Sequence, residues 1–213
     1  MFVIYITTIR ELSVDQMKTA KIPARTAGMC GILGPLIAFG AIAASIHLHP
    51  WFSWADNALS DLGALGTSYN TIFNLGLVAS GIAGLIFTLG LPRLVSRRAG
   101  LVGVAVFGFG MISLILIGVF PSGTSPHGLV SVAFYGLSLL GLVILGVDQL
   151  RGRSERAWGA FILSILALAL AAVKFLSIIP YDLGAAIPEI IGAIAILEFS
   201  LVFGARLLGL KDK

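Results

Sequence analysis

Three side chains beside apolar stretches of this chain have the chemistry of a hydrolytic or acyl-transfer site. Ser60 and Asp61 directly precede one apolar stretch, and His127 stands at the start of another. An imidazole can serve as a general base, a carboxylate can orient it, and a hydroxyl can be the nucleophile. On this interpretation His127 is the base, Asp61 orients it and Ser60 attacks. The alternative is that Ser60 and Asp61 cap a helix or turn, and that His127 is a polar helix end.

Five further polar residues are candidates for ligand binding. Asn70 and Asn74 are four residues apart, so they share one face of a helix. Their amides either hydrogen-bond a neighbouring helix or line a cavity the size of a lipid headgroup. Glu189 and Lys174 fall at similar depth on consecutive predicted helices, which predicts an ion pair between them. The fifth candidate, Asn57, precedes the Ser60-Asp61 pair.

The cysteine and histidine content gives little support for a metal centre. Cys30 is the single cysteine and lies in an apolar stretch, which excludes a disulfide framework and a thiolate cluster. His47 and His49 are two residues apart, so on a helix their rings would point about 200° apart. They converge on a metal only if the chain is extended there. We therefore predict no metal and no cofactor.

The elements that must position these residues are membrane-spanning helices. Hydrophobic residues make up 58% of the 213 residues and charged residues 11%, and the mean hydropathy is +1.02. A soluble domain is typically about 25% charged. A helix needs roughly 20 apolar residues to cross a bilayer, and six windows provide them. They predict an all-α bundle of six transmembrane helices in three antiparallel hairpins: 27–48, 68–91, 101–120, 127–147, 157–179 and 186–208.

The basic residues predict how this bundle is oriented. Thirteen of the 14 Lys and Arg residues fall in the N-terminal tail (1–26), two short connections (93–98 and 151–156) and the segment from Arg206 to the C-terminus. Cytoplasmic segments collect basic residues, so both termini and both connections are predicted to be cytoplasmic. The spread over four places also argues against a nucleic-acid site and favours contacts with anionic lipids. The predicted domain is 27–208, with a second tail at 209–213.

Several short motifs follow one another in a recognisable order. They are Asn57 to Gly63, then Asn70 to Leu77, and Gly118-Val119-Phe120-Pro121 leading to His127 and Phe134. In these motifs the chain resembles, over about residues 28–208, a prokaryotic, largely archaeal, six-span family called domain of unknown function 998. More distantly it resembles the DRAM and Sfk type of eukaryotic six-span proteins. That distant resemblance implies lipid-anchor remodelling or lipid organisation, whereas the nearer family implies no activity.

Three functions follow as expectations. The first is a lipid-handling protein of the cell membrane whose outer-leaflet site binds a polar headgroup. The second is an intramembrane hydrolase or acyltransferase, and the third is a structural or assembly protein with no small-molecule site. Membrane lipids are the predicted partners, nucleic acid is not, and a homo-oligomer is an open alternative. The residues expected to line the headgroup site are Ser60, Asp61, Asn70, Asn74 and His127.

Overall fold

The computed structural model describes residues 22–95, 97–151 and 184–210, together with Ile162 and Ile165. Over these residues the chain is helical and contains no strand. The helices are α1 (Ala24–Leu48), α2 (Asn70–Gly90), α3 (Arg98–Val119), α4 (His127–Arg151) and α5 (Ala186–Leu208), with short 3-10 helices at Leu59–Gly63 and Leu91–Leu94.

All five α-helices are long and apolar enough to cross a membrane. This confirms the prediction of an all-helical, multi-pass membrane protein. Of the predicted span at 157–179, the structure describes Ile162 and Ile165 and no other residue. The total of six membrane spans and the orientation of the bundle in the membrane therefore remain predictions.

Proline and irregular backbone set the ends of the helices where the sequence predicted turns. α1 follows Pro23, α3 gives way to Phe120-Pro121, and α4 follows Pro126. A residue before proline is biased away from helical geometry, so Phe120 is a natural stop for α3. These stops leave short turns that bring consecutive helices back beside one another.

The helices form a ring around a shared interior. α1 packs between α2 and α5, α2 packs against α3, and α3 packs against α4, whereas α4 and α5 meet at fewer positions. Small residues allow the close crossings. At the crossing of α1 and α5, a Cβ on Gly28 would lie 2.7 Å from the Gly204 carbonyl oxygen, and one on Gly204 would lie 2.9 Å from the Gly28 oxygen.

A cluster of phenylalanines holds three of these helices together. Phe87 of α2 lies edge-on to Phe107 of α3, with ring centroids 6.4 Å apart, and 6.0 Å from Phe199 of α5. Phe199 in turn stacks on Phe203 at 4.3 Å. Offset and edge-to-face aromatic pairs contribute about 0.5–1.5 kcal/mol beyond the area they bury. This cluster therefore stabilises the packing of α2, α3 and α5 against one another.

A chain of hydrogen bonds closes one end of the bundle, which we call the basic end (residues 91–98, 148–151 and 205–210). Arg206 donates to the Gln149 side-chain oxygen at 2.9 Å, and Gln149 donates to the Leu94 carbonyl at 3.1 Å. Arg93 donates to the carbonyl of Ile22 at 2.7 Å. The guanidinium of Arg206 also lies 4.9 Å from the centre of the Phe203 ring. The basic side chains therefore also join helices to one another, besides marking the predicted cytoplasmic side.

The close crossing at Gly28 and Gly204 requires a glycine at position 28 of α1. The substitution Gly28→Ala would press a methyl group into backbone atoms of α5, so we expect it to destabilise the protein by about 1–3 kcal/mol. Gly40→Ala on the same helix is the control, because no described atom lies within 4 Å of a Cβ there. It should be neutral or up to about 1 kcal/mol more stable through helix propensity. Thermal unfolding in one detergent compares the two, and equal midpoints would contradict the crossing.

Candidate functional site

The end of the bundle opposite the basic end is covered by the α1–α2 connection, residues 49–69, which we call the cap. Its 3-10 helix turns two leucines into the core, with Leu59 3% and Leu62 0% exposed. Backbone bonds dock the cap onto its neighbours: Leu65 donates to Ser122 at 2.9 Å, and Ala186 donates to Asn57 at 2.9 Å. The cap therefore touches both the α3–α4 turn and the start of α5.

Asp61 and Asn57 are engaged inside the cap. The Asp61 carboxylate accepts the Ala58 backbone N–H at 2.9 Å and the Asn57 side-chain amide at 3.4 Å. The Asn57 side-chain oxygen accepts the Ser53 N–H at 2.8 Å. These are the contacts of side chains that stabilise a turn, as in the capping alternative. Neither contact brings Asp61 to His127, so the predicted pairing of those two residues stays a prediction.

Asn70 and Asn74 fasten the cap to α2. Both lie on one face of the helix, as their spacing predicts, and each donates to a cap carbonyl at 2.9 Å, Asn70 to Ala64 and Asn74 to Gly63. A Cβ on Gly63 would overlap the side-chain oxygen of Asn74. Glycine is therefore needed here for the close approach of the cap to α2.

His49 contacts the backbone at both ends of the cap. The ring is 3% exposed, and its nitrogens lie 2.6 Å from the Ser45 carbonyl oxygen and 2.6 Å from the Ser68 carbonyl oxygen. Ser45 belongs to α1 and Ser68 to the far end of the cap, so the ring links the two ends of this connection. His49 is thus bound by backbone oxygens, which is not the geometry of a metal ligand.

Glu189 accepts a hydrogen bond from the cap across a long sequence separation. It lies in the first turn of α5, and its carboxylate accepts the N–H of Leu59, 130 positions away in sequence, at 2.7 Å. A carboxylate in the first turn of a helix is also stabilised by the helix dipole. Lys174, its predicted ion-pair partner, lies outside the described residues, so that pairing stays a prediction.

His127 opens α4 and has two partners. Its Nδ1 lies 2.9 Å from the Phe120 carbonyl oxygen at the end of α3, and its Nε2 lies 3.3 Å from the Ser131 hydroxyl. The carbonyl accepts only, so Nδ1 carries the proton and donates. In the neutral ring Nε2 then has a free lone pair directed at Ser131. The group that orients His127 is thus a backbone carbonyl, and the hydroxyl beside it is that of Ser131.

A cavity lies inside the ring of helices beneath the cap, and all five described α-helices contribute to its wall. The centres of water-sized molecules can occupy ≈ 70 Å³ of it. On α2 the wall runs from Phe73 to Phe87, which is about 20 Å of helix.

The wall of this cavity changes in polarity along its length. At the cap end it includes Ser60, Ser131 and Glu189, with Tyr135 one turn further along α4. Below them the wall is mainly aliphatic and aromatic, with Ser80 and Ser200 as further hydroxyls. The deep end is closed by Phe87, a member of the phenylalanine cluster. The cavity therefore has a polar end and an apolar body.

Two of the residues singled out in the sequence, Ser60 and Glu189, line this cavity. Asn57, Asp61, Asn70 and Asn74 shape the cap above it, and His127 reaches it through Ser131. Sequence reasoning missed Ser131 and Tyr135. The signal was present, because His127, Ser131 and Tyr135 recur every four residues and so share one face of α4.

The hydrogen bond from the Leu59 N–H to Glu189 is expected to limit local opening of the cap. Glu189→Ala removes the acceptor for the Leu59 N–H, and a hydrogen bond to a charged group is worth about 1.5–3 kcal/mol. We expect hydrogen exchange at the Leu59 amide to accelerate by roughly ten- to a hundredfold. Glu189→Gln keeps an oxygen acceptor and should lie nearer the wild type. Unchanged exchange in Glu189→Ala would show that this bond does not hold the cap.

Comparison with known proteins identifies a family for this chain. Searches of curated proteins and of solved structures return no match. A family model described as a protein of unknown function, DUF998, matches residues 32–206. That match takes in all of α2, α3 and α4, the cap, and most of α1 and α5. The chain belongs to the DUF998 family.

Proposed function

We propose that this protein handles membrane lipids, with the cavity holding one apolar chain of an amphiphile and the cap end holding its polar headgroup. The observation that carries the proposal is the change in polarity along the cavity wall. Ser60, Ser131 and Glu189 lie at one end, and the Phe87 layer closes the other. A ligand matched to this wall has hydrogen-bonding groups at one end and a hydrocarbon body.

The extent of the cavity wall favours a chain over a compact ligand. A wall that runs for about 20 Å along α2 suits an extended hydrocarbon. Burying each methylene of such a chain contributes about 0.8 kcal/mol relative to water. A bilayer offers the chain a similarly apolar surrounding, so selectivity would come from the polar end.

The cap residues support this proposal in a different way from the one the sequence suggested. Asp61, Asn70 and Asn74 hold the backbone of the cap above the cavity. They therefore act as positioning residues for Ser60, which lines the cavity from the cap. In this proposal the headgroup meets Ser60, Ser131 and Glu189, while the amide side chains keep the cap in place.

The cavity-filling substitution Ala38→Leu tests whether a lipid chain is held there. Ala38 of α1 lines the cavity, so the larger side chain occupies space that we assign to the lipid. We expect the lipid retained after purification and detergent exchange, measured by mass spectrometry, to fall several-fold. Ala43→Leu is the control, because Ala43 is exposed on the same helix and does not line the cavity. Equal lipid retention in the two variants, with equal thermal stability, would argue against the proposal.

We also propose that the basic end faces the cytoplasm of the cell and that the cap faces outward. The support is the charge asymmetry, since every described arginine belongs to the end opposite the cap: Arg25, Arg93, Arg97, Arg98, Arg151 and Arg206. Basic residues near membrane-spanning segments are retained on the cytoplasmic side. This orientation would place the polar end of the cavity at the outer leaflet.

Single cysteines test this orientation. In a Cys30→Ala background, Ser125→Cys places a thiol in the exposed α3–α4 turn, and Ala99→Cys places one at the exposed start of α3. A membrane-impermeant maleimide added to intact cells should label Ser125→Cys and should label Ala99→Cys only after lysis. The reverse pattern would invert the proposed topology.

A further inference from the structure

We infer that Ser131 is a nucleophile with His127 as its general base, and that the cavity is the acyl site of a lipid esterase or acyltransferase. The inference rests on the proposed function, because it requires a lipid chain in the cavity. It differs from the catalytic set suggested by the sequence, in which Ser60 attacks and Asp61 orients the histidine. The inference is supported by two hydrogen-bond contacts of the His127 ring, one with the Phe120 carbonyl and one with the Ser131 hydroxyl.

The Phe120 carbonyl orients the imidazole of His127 toward Ser131. Since Nδ1 donates to the Phe120 carbonyl at 2.9 Å, the basic Nε2 is directed at the Ser131 oxygen at 3.3 Å. A nucleophile, a base and a third group that orients the base are the elements of an activated serine, and the first contact is often looser before substrate binds. The third group here is the Phe120 carbonyl at the end of α3, which accepts the Nδ1 proton and so fixes the orientation of the ring.

Ser131 lines the cavity at its polar end, one helical turn before Tyr135. In an ester lipid the carbonyl group lies between the headgroup and the chain, so a chain seated toward Phe87 brings the ester to this level. Ser60, Ser80 and Ser200 also line the cavity, but among the described hydrogen bonds only that of Ser131 reaches a histidine.

The reaction balances without a cofactor. The Ser131 oxygen attacks the ester carbonyl carbon, and the hydroxyl proton passes to Nε2 of His127. The bond between the carbonyl carbon and the alcohol oxygen breaks, and the alcohol leaves with the proton from His127. Water or a second alcohol then attacks acyl-Ser131 through the same base, which releases the acyl group and restores the hydroxyl. The hydroxyls of Ser60 and Tyr135 line the same cavity and are the donors we assign to the oxyanion.

A long-chain alkyl fluorophosphonate tests this assignment on the full-length protein in lipid nanodiscs. Activated serine displaces fluoride and forms an oxygen–phosphorus bond, which adds a defined mass to one peptide. We expect labelling at Ser131, loss of labelling in Ser131→Ala, and unchanged labelling in Ser113→Ala, whose hydroxyl donates to the Phe109 carbonyl and does not line the cavity. An ethyl fluorophosphonate should label at least tenfold more slowly, because it lacks the chain that the cavity holds.

The variant His127→Asn separates chemistry from structure. The asparagine amide can still donate to the Phe120 carbonyl, but it cannot act as a base. We expect at least a tenfold loss in labelling rate, since general bases contribute roughly 10²–10⁴-fold, with little change in the thermal midpoint. A histidine that only caps α4 would leave the labelling rate unchanged in this variant.

The outcomes distinguish the inference from the proposed function. Wild-type protein that retains lipid but is not labelled, or is labelled at a residue other than Ser131, overturns the catalytic inference and leaves lipid binding standing. Protein that is labelled at equal rates by the long-chain and ethyl probes, and retains no lipid, overturns the proposed function as well. Labelling of Ser131 that depends on chain length and on His127 supports both.

Discussion

The arrangement of this protein depends on satisfying the backbone of the cap. Leu59 and Leu62 are buried at the end of a membrane bundle, so the irregular backbone that carries them lies beside apolar surroundings. A backbone group left there without a hydrogen bond costs several kcal/mol in a lipid environment. Glu189 accepts the Leu59 N–H, and the Asn70 and Asn74 amides reach the Ala64 and Gly63 carbonyls. The polar residues near the membrane surface are therefore required by the fold before any ligand is considered.

Hydropathy and local spacing predicted the parts of this structure that depend on short stretches of chain. Apolar length predicted the five described α-helices, and the four-residue spacing of Asn70 and Asn74 predicted their common face. The cap anchors were not predictable in the same way. Glu189 meets Leu59 across 130 positions, and no local pattern states which backbone group a carboxylate will reach. Its predicted partner Lys174 was inferred from depth alone.

Ser131 shows a different limit of sequence reasoning. A serine inside an apolar span is ordinarily a packing residue, and nothing in its immediate neighbours marks it otherwise. Its position four residues after His127 places both on one face, which is local information. What gives the pair its chemical meaning is the Phe120 carbonyl, because that acceptor decides which ring nitrogen carries the proton. The tautomer follows from the fold of the α3–α4 turn, and spacing cannot supply it.

The same contacts that hold the cap end together also place its reactive groups. The Phe120 carbonyl ends α3 and His127 begins α4, so their bond closes the turn between two helices and aims Nε2 at the cavity wall in one step. Glu189 secures the cap, and the cap brings Ser60 to the cavity. A structural role and a chemical role are therefore not alternatives at these positions. Any side chain that donates to the Phe120 carbonyl could close this turn. The imidazole of His127 does so through Nδ1 and also places Nε2 beside the Ser131 hydroxyl.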